Sequence, residues 1–300
     1  MFRLKFLFLI GIFPAFLIVL SNSASSMETS PRSVRNSIRE VRITDGRKIV
    51  AMTFDLCEGP GKASGFDSEL VDFLTKNLVN ATFFAGGKWM HSHPEETMHL
   101  MAEPLFEIGN HSWDHANFRQ LGRPAAKEQI TRTQEEYTRI RSALTARLEE
   151  EGVDPNKIAG IPQAPNLFRF PYGACKSESL ALLAEFNMSD IQWSIVSGDP
   201  VRGRTPEGII KTVLSQVRPG SIIIFHANGK GHGTLGALRV LVPKLRNQGY
   251  EFTTVGGLLL SGEPVSVPEC YELKPGDTVR YDVQPVSKRK NPAPAKQRNE

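Results

Sequence analysis

The sequence predicts an α/β fold, a distorted (β/α) barrel of about seven parallel strands. Short β-prone runs alternate with helical stretches from residue 48 to residue 255, the pattern of a parallel sheet. Polar residues recur at the C-terminal ends of those runs: Asp55, His111, Arg169, Asp199 and His226. A βα barrel builds its active site at that end of its strands, so these positions fit a barrel better than an open sheet. With 300 residues and 40% hydrophobic content, the chain can bury a full core.

KIVAMTFD (48–55) is the first strand, and SELVDFLTKNL (68–78) is a helix with Leu70, Phe73, Leu74 and Leu78 at helical spacing. NATFFAGG (80–87) and LFEIGNHS (105–112) are the next strands, with a helical stretch around residues 93–104 between them. A long charged helix follows and stops at Gly152. LFRFPYG (167–173) and DIQWSIV (190–196) read as strands flanking the helix ESLALLAEFN. A helix from Pro206 to Val217 leads to GSIIIFHA (220–227), the most apolar strand. LGALRVLVPKLRNQGY is an amphipathic helix despite Pro243, and YEFTTV (250–255) closes the series. No glycine-rich phosphate fingerprint precedes any helix, so nothing supports nucleotide binding.

The ends differ from the body. Residues 1–26 carry Arg3 and Lys5 ahead of an apolar run and then the small residues SNSASS, the pattern of a cleaved signal peptide. An uncleaved anchor is the other reading, and either one places the body outside the cytoplasm. Residues 27–46 form an N-terminal extension, 47–262 the barrel, 263–282 a C-terminal extension, and 283–300 a disordered basic tail. The formal charge of +4 is concentrated at the ends. Without Arg3, Lys5 and the five basic residues and one Glu of the tail, the body carries about −2, which argues against a nucleic-acid partner. No stable protein partner is implied, and a monomer is expected. Three cysteines, Cys57, Cys175 and Cys270, permit one disulfide in an exported chain and leave one thiol over.

HSWDH (111–115) places two histidines four residues apart, so on a helical turn both imidazoles would share one face. That spacing suits two ligands of one transition metal, completed by a carboxylate from elsewhere. Alone, the pair is weak evidence.

Read with TFD…EGP, NATFFAGGKW, RFPYG, WSIVSGD and IIIFH, the stretch EIGNHSWDH resembles the polysaccharide deacetylases of carbohydrate esterase family 4, the NodB-like group. The resemblance covers about residues 47–258 and keeps all the motifs in order. It implies a divalent metal, usually zinc but with cobalt or nickel as alternatives, held by one carboxylate and two histidines. It also implies hydrolysis of an acetamide on an N-acetylated glycan, with water as the nucleophile. An amide is a poor electrophile, so a Lewis acid, a base and an acid are all needed.

Carried over, His111 and His115 are metal ligands, Arg169 holds the base, Asp199 braces Arg169, and His226 is the general acid. The Tyr172 backbone N–H stabilises the oxyanion, and Pro171, Trp193 and Ile224 line the acetyl pocket. The family's first motif reads TFDDGP, whereas this chain has TFDLCEGP. Asp55 is then the base and Glu58 the third ligand, with the exchanged assignment nearly as good. Pro200 after Asp199 and Ala227 after His226 also depart from the pattern, as do insertions around 148–166 and 227–236. A bridge between Cys57 and Cys175 would fix the altered motif, since both follow strand ends on one barrel face. Pairing with Cys270, or a buried thiol at Cys57, are the alternatives. The function expected is N-deacetylation of an extracytoplasmic polysaccharide or oligosaccharide. Hydrolysis of another amide, or a catalytically weak carbohydrate-binding barrel, are the alternatives.

Overall fold

The structure is a computed structural model that describes residues 36–282. The expected signal segment (1–26) and basic tail (283–300) lie outside those residues. Among the described residues, no helix is long and apolar enough to cross a membrane.

Among the described residues, ten strands form one curled, mostly parallel sheet, a half-barrel. They are β1 (Ser37–Arg42), β2 (Lys48–Leu56), β3 (Ala81–Ala85), β4 (Phe106–Asn110), β5 (Leu167–Phe168), β6 (Ser189–Ile191), β7 (Ile195–Val196), β8 (Ile222–His226), β9 (Tyr250–Thr253) and β10 (Glu263–Val267). Their order is β10-β1-β6-β5-β4-β3-β2-β8-β7, with β9 on the N-terminal half of β2. Among these strand pairs, β1–β10 alone is antiparallel.

β2 is the hub, and it is buried along its length after Lys48, as befits a strand covered on both faces. Alternation along it separates two environments. Phe54 stacks between Phe83 of β3 and Phe225 of β8, at centroid distances of 5.3 and 5.5 Å. That outer face packs under α1 (Ser68–Lys76), α2 (Gly87–Ser92) and α8 (Thr234–Asn247), with Leu56, Leu74, Trp89 and Leu241 in the same core. The inner face carries Thr53 and Asp55. A smaller apolar cluster of Ile38, Phe84, Trp193, Ile222, Ile224 and Leu258 fills the barrel interior.

The remaining helices are α3 (Pro94–Ala102), α4 (Arg123–Glu150), α5 (Pro155–Ala159), α6 (Ser177–Glu185), α7 (Pro206–Gln216) and α9 (Val255–Leu259). α4 ends two residues before Gly152, whose φ of +73° is open to glycine at little steric cost. Pro243 lies inside α8.

Several expected boundaries shift. LFRFPYG is strand only at Leu167 and Phe168, because Pro171 starts a 3₁₀ turn in which Tyr172 has φ +62°. DIQWSIV is two strands. Gln192 N–H still bonds Ile38 of β1, but Ser194 N–H bonds Ile222 of β8, so the chain crosses the interior between them. β1 and β10 belong to the same sheet as the barrel strands. β1 also folds against the start of β8, where Val41 N–H donates to Gly220 O at 3.0 Å. A Cβ on Gly220 would stand 1.6 Å from Val41 O, so glycine is required there.

The cysteine pairing differs from the expected Cys57–Cys175 bridge. Cys175 bonds Cys270, and Cys57 is free and buried. Cys57 continues the inner face of β2, whereas Cys175 follows the Pro171 turn among Phe118, Phe170 and Leu180, where Cys270 also packs. The bond ties residue 270 to the barrel across a separation of 95 residues. A loop of that length contributes up to about 4–5 kcal/mol in the chain-entropy account.

Asp190 is fully buried beside this bond. Its Oδ1 accepts from Gln192 Nε2 at 2.8 Å, and its Oδ2 lies 3.5 Å from Cys270 Sγ. A disulfide sulfur has no proton to give, so that contact is a hydrogen bond only when the carboxyl is protonated. Burial pushes this carboxyl from 3.8 up to about 7 against the opposing pull of Gln192 and Arg169. The native state therefore holds the proton more tightly than the unfolded chain. Stability falls as pH rises from about 4 to about 7 and is then level with respect to this group. Urea denaturation of Asp190→Asn at a series of pH values should show that slope removed.

Candidate active site

Strand alternation assembles the site. Thr53 and Asp55 face the interior, and Cys57, one residue past β2, continues the same parity. Phe54, Leu56 and Glu58 fall on the other parity. His226, the last residue of β8, is the direct register partner of Asp55. His111 follows β4, Arg169 follows β5, and Asp199 lies three residues past β7.

Arg169 is fully buried and fixed on every side. Its Nη1 donates to Asp55 Oδ1 at 2.8 Å and to Thr53 Oγ1 at 2.9 Å. Nε donates to Ile191 O at 3.0 Å, Nη2 to Gln192 O at 3.2 Å, and the guanidinium lies 3.9 Å over the Phe84 ring. Burial opposes the charge on Asp55, but Arg169 and His111 outweigh it and hold the carboxyl below its ordinary 3.8. Asp55 is therefore ionised, with Oδ1 occupied by Arg169 and Oδ2 facing His111 Nε2 at 3.5 Å.

His111 and His115 do come together, with ring centroids 5.0 Å apart, but not on a helix. They sit in an irregular loop in which Ser112 and His115 have φ of +65° and +63°. Side chains replace helical hydrogen bonds there. Asn110 Oδ1 accepts from Ser112 N–H, and Gln129 Oε1 of α4 accepts from Trp113 and Asp114 N–H. Gly87 lets this loop close down, since a Cβ there would meet the Trp113 ring at 2.4 Å.

The His111 tautomer follows from its partner. Nδ1 lies 2.8 Å from Arg169 O, which can only accept, so Nδ1 carries the proton. Nε2 then presents a lone pair, and it is buried with no hydrogen-bond partner. Burial lowers the basicity of His111 and, with His111 beside it, lowers that of His115 well below 6.5. Both rings are neutral, as metal ligation requires. The ligand atoms of His111, His115 and Cys57 all lie within 4.8 Å of one another. The donor set thus fits a divalent transition metal: imidazole lone pairs, one without any other partner, and a sulfur.

Glu58 is not among these groups. Its Oε2 accepts from Ser92 Oγ at 2.8 Å and Ser64 N–H at 3.3 Å, and Oε1 lies 3.6 Å from Lys88 Nζ. The two-residue shift expected to bring Glu58 round instead leaves it on the outer parity, tying a loop to α2. Asp199 does not brace Arg169 either. It accepts from His226 at both Nδ1 (2.9 Å) and the backbone N–H (2.7 Å), and from Thr234 and Ser197 hydroxyls. Strand carbonyls do the bracing of Arg169 that Asp199 was expected to do. Trp193 and Ile224 are almost wholly buried in the interior cluster, with Trp193 Nε1 donating to Glu272 O. Pro171 is buried, and Tyr172 is 38% exposed, its ring 4.4 Å from His115 and stacked on Tyr281 at 4.9 Å.

Sequence reasoning missed Cys57 and Asn228 at this site, and Tyr281 beside it. The i, i+2 spacing of Asp55 and Cys57 on a strand was a signal for the first; none existed for the other two.

A family model described as polysaccharide deacetylase matches residues 42–148. A peptidoglycan-N-acetylglucosamine deacetylase of Bacillus cereus is 30% identical over 208 residues, covering 69% of this chain and 66% of that protein. The Listeria monocytogenes peptidoglycan-N-acetylglucosamine deacetylase PgdA is 30% identical over 254 residues, covering 84% of this chain and 47% of its own length. The chain thus spans about half the length of the Listeria relative. Among solved structures, a peptidoglycan N-acetylglucosamine deacetylase in complex with 4-naphthalen-1-yl-N-oxidanyl-benzamide aligns with a TM-score of 0.61 at 25% identity. That alignment covers 75% of this chain and 93% of the other.

Removing Arg169 strands a buried carboxylate. Arg169→Met should cost about 3–5 kcal/mol of stability, the usual loss when one member of a buried pair is deleted. Chemical denaturation checks this, and a loss below about 1 kcal/mol would mean that Asp55 is hydrated well enough to stand alone.

Proposed function

Because the chain belongs to the polysaccharide deacetylase family, we propose that it removes N-acetyl groups from an extracytoplasmic polysaccharide or oligosaccharide by metal-dependent hydrolysis. The observation that carries this reading is the His111 tautomer: a buried Nε2 lone pair without a partner, beside His115 and facing the Asp55 carboxylate. His111 and His115 would hold the metal. When bound there, a divalent cation supplies a Lewis acid that polarises the acetamide carbonyl and makes water more acidic.

The chain's own groups supply the rest. Asp55 takes a proton from the attacking water at Oδ2, because Oδ1 is committed to Arg169. Arg169 is a positioning residue, keeping that carboxylate ionised and aimed. His226 has Nδ1 engaged by Asp199, so its other nitrogen can give a proton to the departing amine. The backbone N–H of Tyr172, on the exposed turn beside His115, is the oxyanion donor in this reading, a contribution of about 3 kcal/mol. Trp193, Ile224 and Pro171 close off the apolar end that receives the acetyl methyl. The Cys175–Cys270 bond supports an oxidising, extracytoplasmic setting.

The test is acetate release from N-acetylglucosamine oligomers and from peptidoglycan. It should be abolished by a chelator and restored by zinc or cobalt. Binding of these glycans without release would instead favour a carbohydrate-binding barrel. Asp55→Asn should lower kcat by about 10²-fold or more, in the range for a lost general base.

The acid has a pH signature. Burial works against the His226 imidazolium, but the charge and hydrogen bond of Asp199 outweigh it and raise His226 above its ordinary 6.5. A general acid is active while protonated, so kcat/KM falls as pH rises through that raised value. Asp199→Asn should move this alkaline limb to lower pH, as read from a kcat/KM profile. An unmoved limb would remove His226 from the acid role.

A further inference from the structure

We propose that Cys57 is the third protein ligand of this site, so that the metal is held by one thiolate and two imidazoles instead of by a carboxylate and two imidazoles. The inference deepens the metal-dependent reading above and rests on it.

Four observations carry it. The first is parity. TFDLC runs off the end of β2 with Asp55 and Cys57 on the inner side, so the sulfur reaches the interior without any bend in the strand. Second, Cys57 Sγ lies with the ligand nitrogens of His111 and His115 inside a 4.8 Å span, a group that among the described residues includes no carboxylate, although Asp55 Oδ2 lies 3.5 Å from His111 Nε2. The third is independent of the cysteine: the His111 Nε2 lone pair is buried in the same place with no donor to meet it. A buried polar atom without a partner costs free energy that a bound cation would offset.

The fourth concerns what surrounds the sulfur. Asn228 Nδ2 donates to Cys57 O at 2.8 Å and approaches Cys57 Sγ at 3.3 Å. An amide N–H aimed at sulfur is the arrangement that holds a thiolate ligand in place and disperses its charge. Of the two carboxylates of the first motif, Glu58 is occupied by Ser92, Ser64 and Lys88, and Asp55, with Oδ2 3.5 Å from His111 Nε2, is tied to Arg169 through Oδ1. Cys57 is also the cysteine left out of the disulfide, so its thiol is available.

Coordination replaces the S–H bond with an S–metal bond and releases one proton to solvent, with no redox change. Thiolate is a softer donor than carboxylate and favours zinc or cobalt over magnesium, calcium or manganese. One thiolate and two imidazoles is also a ligand set that leaves a coordination position open for catalysis.

Cobalt(II) added to the metal-free wild-type chain tests this without any assay of activity. The expected result is one equivalent bound, with a near-ultraviolet thiolate-to-cobalt charge-transfer band. Cys57→Ser should lose that band and weaken cobalt binding by about a hundredfold or more. Cys57→Asp, a carboxylate on the same side of the strand, should recover binding without the band. Circular dichroism confirms that each variant is folded, and the wild-type spectrum stands without either. One equivalent of cobalt bound by the wild type and lost in His111→Ala, but with no charge-transfer band in the wild type and unchanged affinity in Cys57→Ser, would overturn the assignment and leave the metal site standing. No stoichiometric binding to the wild type would overturn both.

Discussion

The buried pair of Arg169 and Asp55 is the constraint on which the rest of the structure depends. A guanidinium with no solvent access must have its donors met, and here β2 meets them through Thr53 and Asp55, and β6 and the chain beyond it through Ile191 O and Gln192 O. Phe84 of β3 gives it a ring to lie on. The barrel interior is therefore a charged network inside an apolar rim, and the strand carbonyls at its mouth are held at fixed positions by it. Such a network is costly to half-satisfy, which ties the curl of the sheet to the state of the site.

That same pair sets the electrostatics of the chemistry. Asp55 stays ionised in a place where burial alone would neutralise it. Arg169 O, on the backbone of the same residue, fixes the tautomer of His111. One residue thus organises both the base and a ligand, through its side chain and its carbonyl respectively. Across the site, Asp199 does the equivalent for His226 with two hydrogen bonds, so base and acid have separate supports and their proton affinities are pushed in opposite directions. This separation is what a reaction needing one group deprotonated and another protonated at the same pH demands.

The segment after the barrel is part of the site's frame. β10 pairs with β1, Cys270 is bonded to Cys175, Glu272 O accepts from Trp193, and Tyr281 stacks on Tyr172 at the rim. The Tyr172 turn, with its left-handed backbone, is thereby clamped between a disulfide and an aromatic stack. A segment that reads as an appendage in one dimension acts as a wall in three.

Periodicity and motif order were enough to determine the parallel α/β architecture and the placement of Asp55, His111, Arg169 and His226 at strand ends, because burial on both faces leaves a strong apolar signature and strand termini are punctuated by polar residues. The two environments of β2 follow from side-chain alternation, which needs no tertiary information, but the expected placement of Glu58 on the metal ran against that alternation. What only the tertiary structure decided are the partnerships. His111 and His115 meet through a loop with left-handed residues, not through a helical turn, because Asn110 and Gln129 cap that loop from distant elements. Asp199 serves His226 and not Arg169, because β7 and β8 are neighbours while β5 lies across the interior. Cys175 found Cys270, and Glu58 found Ser92, because pairing depends on which loops share a face and which way each side chain is turned, and neither is a property of spacing along the chain.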